Sequence, residues 1–321
     1  MFNYLLRRLI LMTITLLVLS LFIFMLEIEL LNPEMQSGYI LGYFNFIGTL
    51  FEGFFVIGSN SKPIAFSQIM HHFSATLELF CATLLISGLI ALPIAILGAI
   101  TPKQRLKQLV RMFCVIGSSF PIFWLALLVL MLAAAYPDKL PLFGSLGLLY
   151  PIKAVTGSQI IDILLSDSPY RSAALWSALK HLLLPVAVLS LPIGCEMIRF
   201  IQDSIEKVQQ QGYMQLAMAR GVQPARLMLR HGFRNSIPLV IPELVFLSGH
   251  LMTGALIIEI IFNRPGMGRW LLFNIHQHQY ATFSAGVLMV SAFVILFATA
   301  LDLLSLLLFP ARRLAYHEQT Q

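Results

Sequence analysis

The stretch ATLELFCATLLISGLIALPIAILGAI, residues 75–100, carries a single charged side chain, Glu78, in 26 positions. A helix of that length is about 39 Å long, more than the roughly 30 Å of hydrocarbon in a bilayer. Five comparable apolar runs recur. Together they give six approximate spans: Leu9–Leu26, Ala75–Ile100, Leu109–Ala135, His181–Phe200, Leu239–Phe262 and Ser284–Phe309. Lipid offers backbone groups no partners, so each span is expected to be a helix. Pro93, Pro121, Pro185, Pro192 and Pro242 lie within or near the ends of these spans. Neighbouring helices and water in a membrane bundle satisfy the groups that proline frees. The fold class read here is an all-α polytopic membrane protein with six transmembrane helices.

The composition agrees. The 321 residues are 58% hydrophobic and 11% charged, with a mean hydropathy of +0.82. A soluble domain carries about a quarter charged residues. The net charge of +6 does not indicate nucleic acid, because Lys and Arg sit in short clusters between apolar runs, as the positive-inside rule expects. In a six-span chain the inner segments hold 14 of the 21 basic residues, among them Arg7, Arg8, Lys103, Arg105, Lys107 and Arg111. Both termini are then cytoplasmic. A seventh span at Tyr39–Gly58 would put Lys103 to Arg111 on the side opposite Arg7 and Arg8, so that stretch is assigned to an outer loop on the membrane surface. Its Gly38/Gly42 spacing is set down to chance. Leu9–Leu26 is longer than a usual signal-peptide core and no A-x-A-like site follows, so it is read as a retained span. Cys81, Cys114 and Cys195 lie in apolar runs without paired spacing and read as packing residues.

Two outer segments are long, Asn32–Ser74 and Tyr136–Lys180, the second read as loop with one short helix. The largest inner segment, Ile201–Pro238, is too polar for lipid and too short for a catalytic domain. Within it stands Tyr213-Met-Gln215-Leu-Ala217-Met-Ala219-Arg220-Gly221, followed by Pro224. Gly closes helices in the left-handed conformation and Pro suits a first helical turn, so the pattern predicts a short helix, a turn and a second helix. The small Ala217 and Ala219 permit close approach of a partner. Arg226, Arg230 and Arg234 form one basic stripe.

This segment resembles the E-A-A-x-x-x-G cytoplasmic loop of binding-protein-dependent ABC importers, which docks into the ATPase subunit. Gln215 stands at the motif's Glu and Leu216 at its first Ala, while Ala217 and Gly221 match. Further stretches resemble the dipeptide/oligopeptide permease family: Ala75-Thr-Leu-Glu78-Leu79, Ser119-Phe-Pro121-Ile-Phe-Trp124, His181 with Leu184-Pro185, and Glu259-Ile-Ile-Phe262-Asn-Arg-Pro265-Gly266-Met267-Gly268. Val155-Thr-Gly157 through Leu165-Ser-Asp167-Ser-Pro169-Tyr-Arg171 narrows the resemblance to one peptide-transport subunit of that family. The family pattern is departed from near Glu52-Gly53 and at Gln279, where an Asp is expected. The resemblance implies the type I ABC importer permease fold and an inner-membrane location. It implies a second permease subunit, two cytoplasmic ATP-binding subunits and a periplasmic solute-binding protein as partners. Its implied cargo is peptides, including cationic antimicrobial ones, with putrescine (by export), haem and a metal ion as alternatives. Its organisation would be residues 1–74 (first helix and outer loop), 75–310 (permease core) and 311–321 (cytoplasmic tail).

Glu78, Glu196, Glu243, Glu259 and Asp302 lie in or beside spans. A carboxylate at bilayer depth costs about 2.5–3.5 kcal/mol and faces protein or water. Glu259, Glu196 and Glu243 are candidates for a translocation path, with interfacial placement or helix-to-helix hydrogen bonding as the alternative. The Pro265-Gly266-Met267-Gly268 turn is a candidate outer-mouth cap, since Gly allows close approach and positive φ. His71-His72, His276 and His278 read as loop or interface residues. No catalytic or metal-binding residue is assigned, because H-E-x-x-H, G-x-S-x-G and G-x-x-x-x-G-K-[ST] are all missing. No cofactor is expected, ATP belonging to the partner subunits. The six-span topology makes single cysteines at positions 45 and 160 reactive from the periplasm and one at 210 protected. Protection at 45 together with outside labelling at 105 would contradict it.

Overall fold

The computed structural model describes residues 2–31, 42–48, 66–101, 103–136, 140–228 and 232–309. Among the described residues every regular element is helical. They are α1 Phe2–Leu31, α2 (residues 42–48), α3 Phe66–Ile100, α4 Gln104–Ser119, α5 Ile122–Ala134, α6 Gln159–Leu165, α7 Arg171–Gln209, α8 Gly212–Ala219, α9 Pro224–Leu227, α10 Phe233–Ile261, α11 Met267–His276 and α12 Tyr280–Leu308. The chain divides into two compact units. One comprises Met1–Glu78, Phe143–His181 and Glu259–Leu296, and the other Leu79–Leu142, Leu182–Ile258 and Phe297–Gln321.

Four of the described helices are long and apolar enough to cross a membrane: Phe66–Ala99, Arg171–Gln209, Phe233–Ile261 and Thr282–Ser305. The expected span Leu109–Ala135 is instead two helices, α4 and α5, bent by 92°. Counted as one broken span, the pair makes five. The described apolar stretch of α1, Leu9–Met25, is about 25 Å long.

The break has a local cause. Phe120 is extended (φ −76°, ψ 129°) and Pro121 opens α5. Proline pushes the preceding residue out of the helical region and supplies no N–H. Pro93, Pro185, Pro192, Pro238 and Pro242, by contrast, lie inside continuous helices.

The helices also outrun the apolar windows. α3 begins at Phe66 and α7 at Arg171, so part of each expected outer loop is helix, and the boundary placed at residue 74 falls inside α3. The segment before α7 is packed rather than loose. Ile163, Ala174 and Ala178 are buried together, with Leu146, Tyr150, Ile152 and Leu175 against them. Ser158 caps α6 by accepting from the Ile161 N–H.

The described part of Tyr39–Gly58 is α2, far too short to cross a bilayer at about 10 Å. Its Phe46 packs with Ile23 and Phe24 of α1, and Tyr43 OH lies 2.8 Å from Ser20 Oγ. At Gly42 a Cβ would lie 3.3 Å from Phe24 Cζ. Gly38, Glu52, Gly53 and residues 311–321 lie outside the described residues.

Large apolar side chains point outward along these helices, Val18, Phe22, Leu89, Leu97 and Met131 among them. That pattern would be a liability in water and is the expected one against lipid or a partner helix. α7 is enclosed over 67% of its apolar window, against 6% for α12. A second close approach fixes α10. A Cβ on Gly254 would lie 2.8 Å from Ile122 Cδ1 and 3.0 Å from Leu189 Cδ2. Gly254→Leu should therefore lower stability by about 1–3 kcal/mol, read as thermal unfolding in detergent. An unchanged midpoint would show that this contact is not tight.

Candidate functional site

α8 follows the end of α7 after a short turn, and only Met214 of its residues is buried. Tyr213, Gln215, Leu216, Met218, Ala219 and Arg220 are exposed, and Ala217 is half-buried. Beneath the helix, Met214 Cε lies 3.8 Å from where a Cβ on Gly232 would stand. Gln209 Nε2 lies 3.4 Å from Met228 Sδ, and a Cβ on Gly232 would lie 2.6 Å from that sulfur. Asn235 Nδ2, in the first turn of α10, donates to Tyr213 OH at 2.7 Å. Gln215 Nε2 turns back to donate to the Gln210 carbonyl at 3.3 Å.

The C-terminus of α8 is a Schellman motif. The Val222 N–H donates to the Ala217 carbonyl (3.2 Å) and the Gly221 N–H to the Met218 carbonyl (3.0 Å). Gly221 has φ +78°, and a Cβ there would meet nothing within 4 Å. The glycine is therefore required by the sign of φ and not by space. Pro224 then opens α9, whose Leu227 is buried. Arg226 is exposed, and Arg230 lies outside the described residues.

A second cluster gathers around the start of α3 and the turn between α10 and α11. Glu78 Oε2 accepts from Ser158 Oγ (2.7 Å) and the Ile160 N–H (3.0 Å), while Oε1 accepts from Arg264 Nη2 (3.1 Å). The two side chains are 6% and 2% exposed. Burial pushes the Arg264 guanidinium below its ordinary value, with the Glu78 and Glu259 carboxylates opposing that shift. Thr76 Oγ1 accepts from the Met267 N–H at 2.8 Å. His72 Nδ1 lies 3.0 Å from the Pro265 carbonyl, and the His72 ring stacks on Trp270 at 5.6 Å.

The neighbouring loop is pinned by Asp162, which accepts from Thr156 N–H and Oγ1 (both 2.7 Å) and the Gly157 N–H (3.1 Å). Burial alone would raise this carboxyl; the donated hydrogen bonds outweigh it and hold it below its usual value. Gly157 has φ +95°, and a Cβ there would overlap the His71 backbone.

Two expectations, on Gly266 and on His71 and His72, are corrected here. Glu259 is wholly buried and its Oε2 accepts from the Gly268 N–H at 2.7 Å. That hydrogen bond fastens the turn. Gly266 is extended (φ −99°, ψ −172°), so positive φ is not its reason. Close approach is, since a Cβ would overlap the Glu259 carboxylate. His71 and His72 lie on α3 and not in a loop. Arg264 escaped the sequence reading because it was counted only as an outer basic residue. Its place between a span acid and a Pro-Gly turn was the available signal.

The remaining acids lie mid-helix. Glu196 Oε2 is 3.3 Å from His250 Nδ1, and Glu243 is half-buried on α10.

Residues 91–314 match the family described as binding-protein-dependent transport system inner membrane component. The chain is 34% identical over 314 residues, 97% of its length and 98% of the relative's, to the putrescine export system permease protein SapB of Escherichia coli strain K12. The same identity and coverage hold for the peptide transport system permease protein SapB of Salmonella typhimurium. The di/tripeptide transport system permease protein DppB of Pseudomonas aeruginosa is 32% identical over 263 residues, 82% of this chain and 77% of that protein.

Arg264→Met leaves Glu78 buried without its cation. Removing one partner of a buried pair costs about 3–5 kcal/mol, so the variant should unfold at a clearly lower temperature in detergent. A wild-type midpoint would mean the pair is not structural.

Proposed function

The chain belongs to the binding-protein-dependent transport system inner membrane component family, and from that premise we propose that it is one of two membrane-spanning subunits of an ATP-driven peptide transporter. We infer six spans, with α1 and the α4–α5 pair each counted once, and both termini in the cytoplasm. The clustering of Lys and Arg in the inner segments supports this orientation. The partners are a second permease, two cytoplasmic ATP-binding subunits and a periplasmic solute-binding protein. ATP stays with the ATP-binding subunits and this chain holds no cofactor. The names of the Salmonella typhimurium and Pseudomonas aeruginosa relatives support peptides as cargo.

The observation that carries the reading is α8. An eight-residue helix with one buried side chain and a mixed apolar and polar outer face has little reason to persist alone in water, where isolated helices this short are marginal. As a knob seated in an ATP-binding subunit it gains a packing partner. Tyr213, Gln215, Ala217, Ala219, Arg220 and Gly221 form the coupling element. Gln215 offers an uncharged amide where the family motif has an acid, so its contact with the ATPase is a hydrogen bond and not an ion pair. Glu196 and Glu243 border the translocation path. The Pro265–Gly268 turn closes its outer mouth, held by Glu259 from within.

Force passes through α8 only if its end keeps a fixed shape. At φ +78° a β-branched side chain adds roughly 1–2 kcal/mol of backbone strain. Gly221→Val should therefore leave insertion and pairing with the second permease intact. It should weaken ATPase association or uncouple hydrolysis from transport, with Gly221→Ala milder. Reconstituted transport and substrate-stimulated hydrolysis measure this side by side. Full coupling in the Val variant would show that the loop only anchors topology.

A further inference from the structure

The bend between α4 and α5 leaves a hollow of about 310 Å³, whose walls include Ser118, Ser119, Phe120, His250, Thr253 and Gly254. Its polar groups share one character. Ser118 and Ser119 Oγ both donate to the Val115 carbonyl (3.3 and 2.6 Å), and Thr253 Oγ1 donates to the Gly249 carbonyl (3.0 Å). With their hydrogens committed to their own helices, Ser119 and Thr253 present lone pairs, while Ser118 already accepts from Arg199 Nη1. The last turn of α4 ends at the hollow, and the final carbonyls of a helix lack intrahelical donors and carry the negative end of its dipole. Pro121 adds no N–H to answer them.

One ionisable pair joins this acceptor-rich wall. His250 reaches the hollow from α10, with Nδ1 3.3 Å from Glu196 Oε2 on α7. Glu196 stands one turn from Pro192, which also lines the hollow. The side chains are 14% exposed for Glu196 and 37% for His250, so the pair is open on one side and not sealed. The contact between His250 Nδ1 and Glu196 Oε2 holds the carboxylate in place. The nearest other charges on these helices are Arg199, whose Nη1 lies 3.4 Å from Ser118 Oγ, and Glu243, two turns before His250. No charged residue of α4 or α5 lines the hollow. Phe120 and Trp124, stacked at 5.4 Å with 8° between planes, add aromatic faces of the kind that attract cations.

A site with several acceptors, a carboxylate paired with the lining residue His250 and one guanidinium donor, Arg199, at Ser118 fits a compact cation rich in N–H. We propose that this hollow receives the primary ammonium group of passing cargo, with Glu196 as its counter-charge and His250 as the residue that positions Glu196. The inference deepens the peptide-transport reading and rests on it, a free amino terminus being a peptide's own ammonium. A polyamine would present the same group.

The assembled transporter, reconstituted with Cys81→Ala, Cys114→Ala, Cys195→Ala and Thr253→Cys, tests the site without relying on transport. Aminoethyl methanethiosulfonate, an ammonium, and neutral methyl methanethiosulfonate are compared as labels, each corrected for its rate with a free thiol. The ammonium reagent should react about tenfold faster, equivalent to about 1.4 kcal/mol. Glu196→Gln should abolish the preference and Glu196→Asp should keep it. Excess methylammonium, which needs no change at Glu196, should protect the thiol. Equal rates, a preference that survives Glu196→Gln, or no protection would each overturn the proposal. Uptake of trialanine and of putrescine is measured in parallel. If the labelling preference holds and only putrescine moves, the ammonium site stands and the peptide reading falls. If the preference is missing, the site falls whichever cargo moves.

Discussion

Everything in this chain follows from one constraint: backbone N–H and C=O groups cannot be left without partners in hydrocarbon. It forces the apolar runs into helices, and the exceptions to helix are then informative. The break at Phe120–Pro121 is one of them. A broken helix at membrane depth is tolerated where it is buried in protein or faces a cavity, and here it borders a hollow lined by hydroxyls and by His250, which pairs with Glu196.

The same constraint shapes the ends of the helices. The turn after α10 carries amides that must be satisfied away from bulk water. Thr76 accepts the Met267 N–H and Glu259 accepts the Gly268 N–H. Glu78 ties that region, through Arg264, to the cap of α6 at Ser158 and Ile160. Buried pairs of this kind are weak evidence for added stability but are costly to break. They fix one arrangement of the turn. At α8 the end groups are met differently, by a glycine in the left-handed region that folds the chain back on its own carbonyls.

Much of this was legible in the residues. Composition alone marked the membrane-crossing runs, because the hydropathy of Phe66–Ala99 or Thr282–Ser305 has no other use. Gly221 and Pro224 marked the limits of α8 and α9 because each residue type has a narrow backbone role. The bend at Pro121 was not legible, since Pro93 and Pro185 lie in equally apolar runs and leave their helices continuous. Neighbours in space decide which prolines are tolerated. The contacts of Glu259 were not legible for a related reason. Only the positions of Gly266 and Gly268 in space show that its carboxylate meets the turn. Arg264 was hidden by counting its charge without asking which acid it would meet.

We propose α8 as the contact through which ATP-binding subunits drive the bundle. The most direct measurement is site-directed cross-linking in native membranes, with a photoreactive side chain at exposed Leu216 or Met218. The account predicts a cross-link to an ATP-binding subunit whose yield changes with bound nucleotide. Cross-links only to lipid or to periplasmic proteins, in a transporter that still hydrolyses ATP, would contradict it.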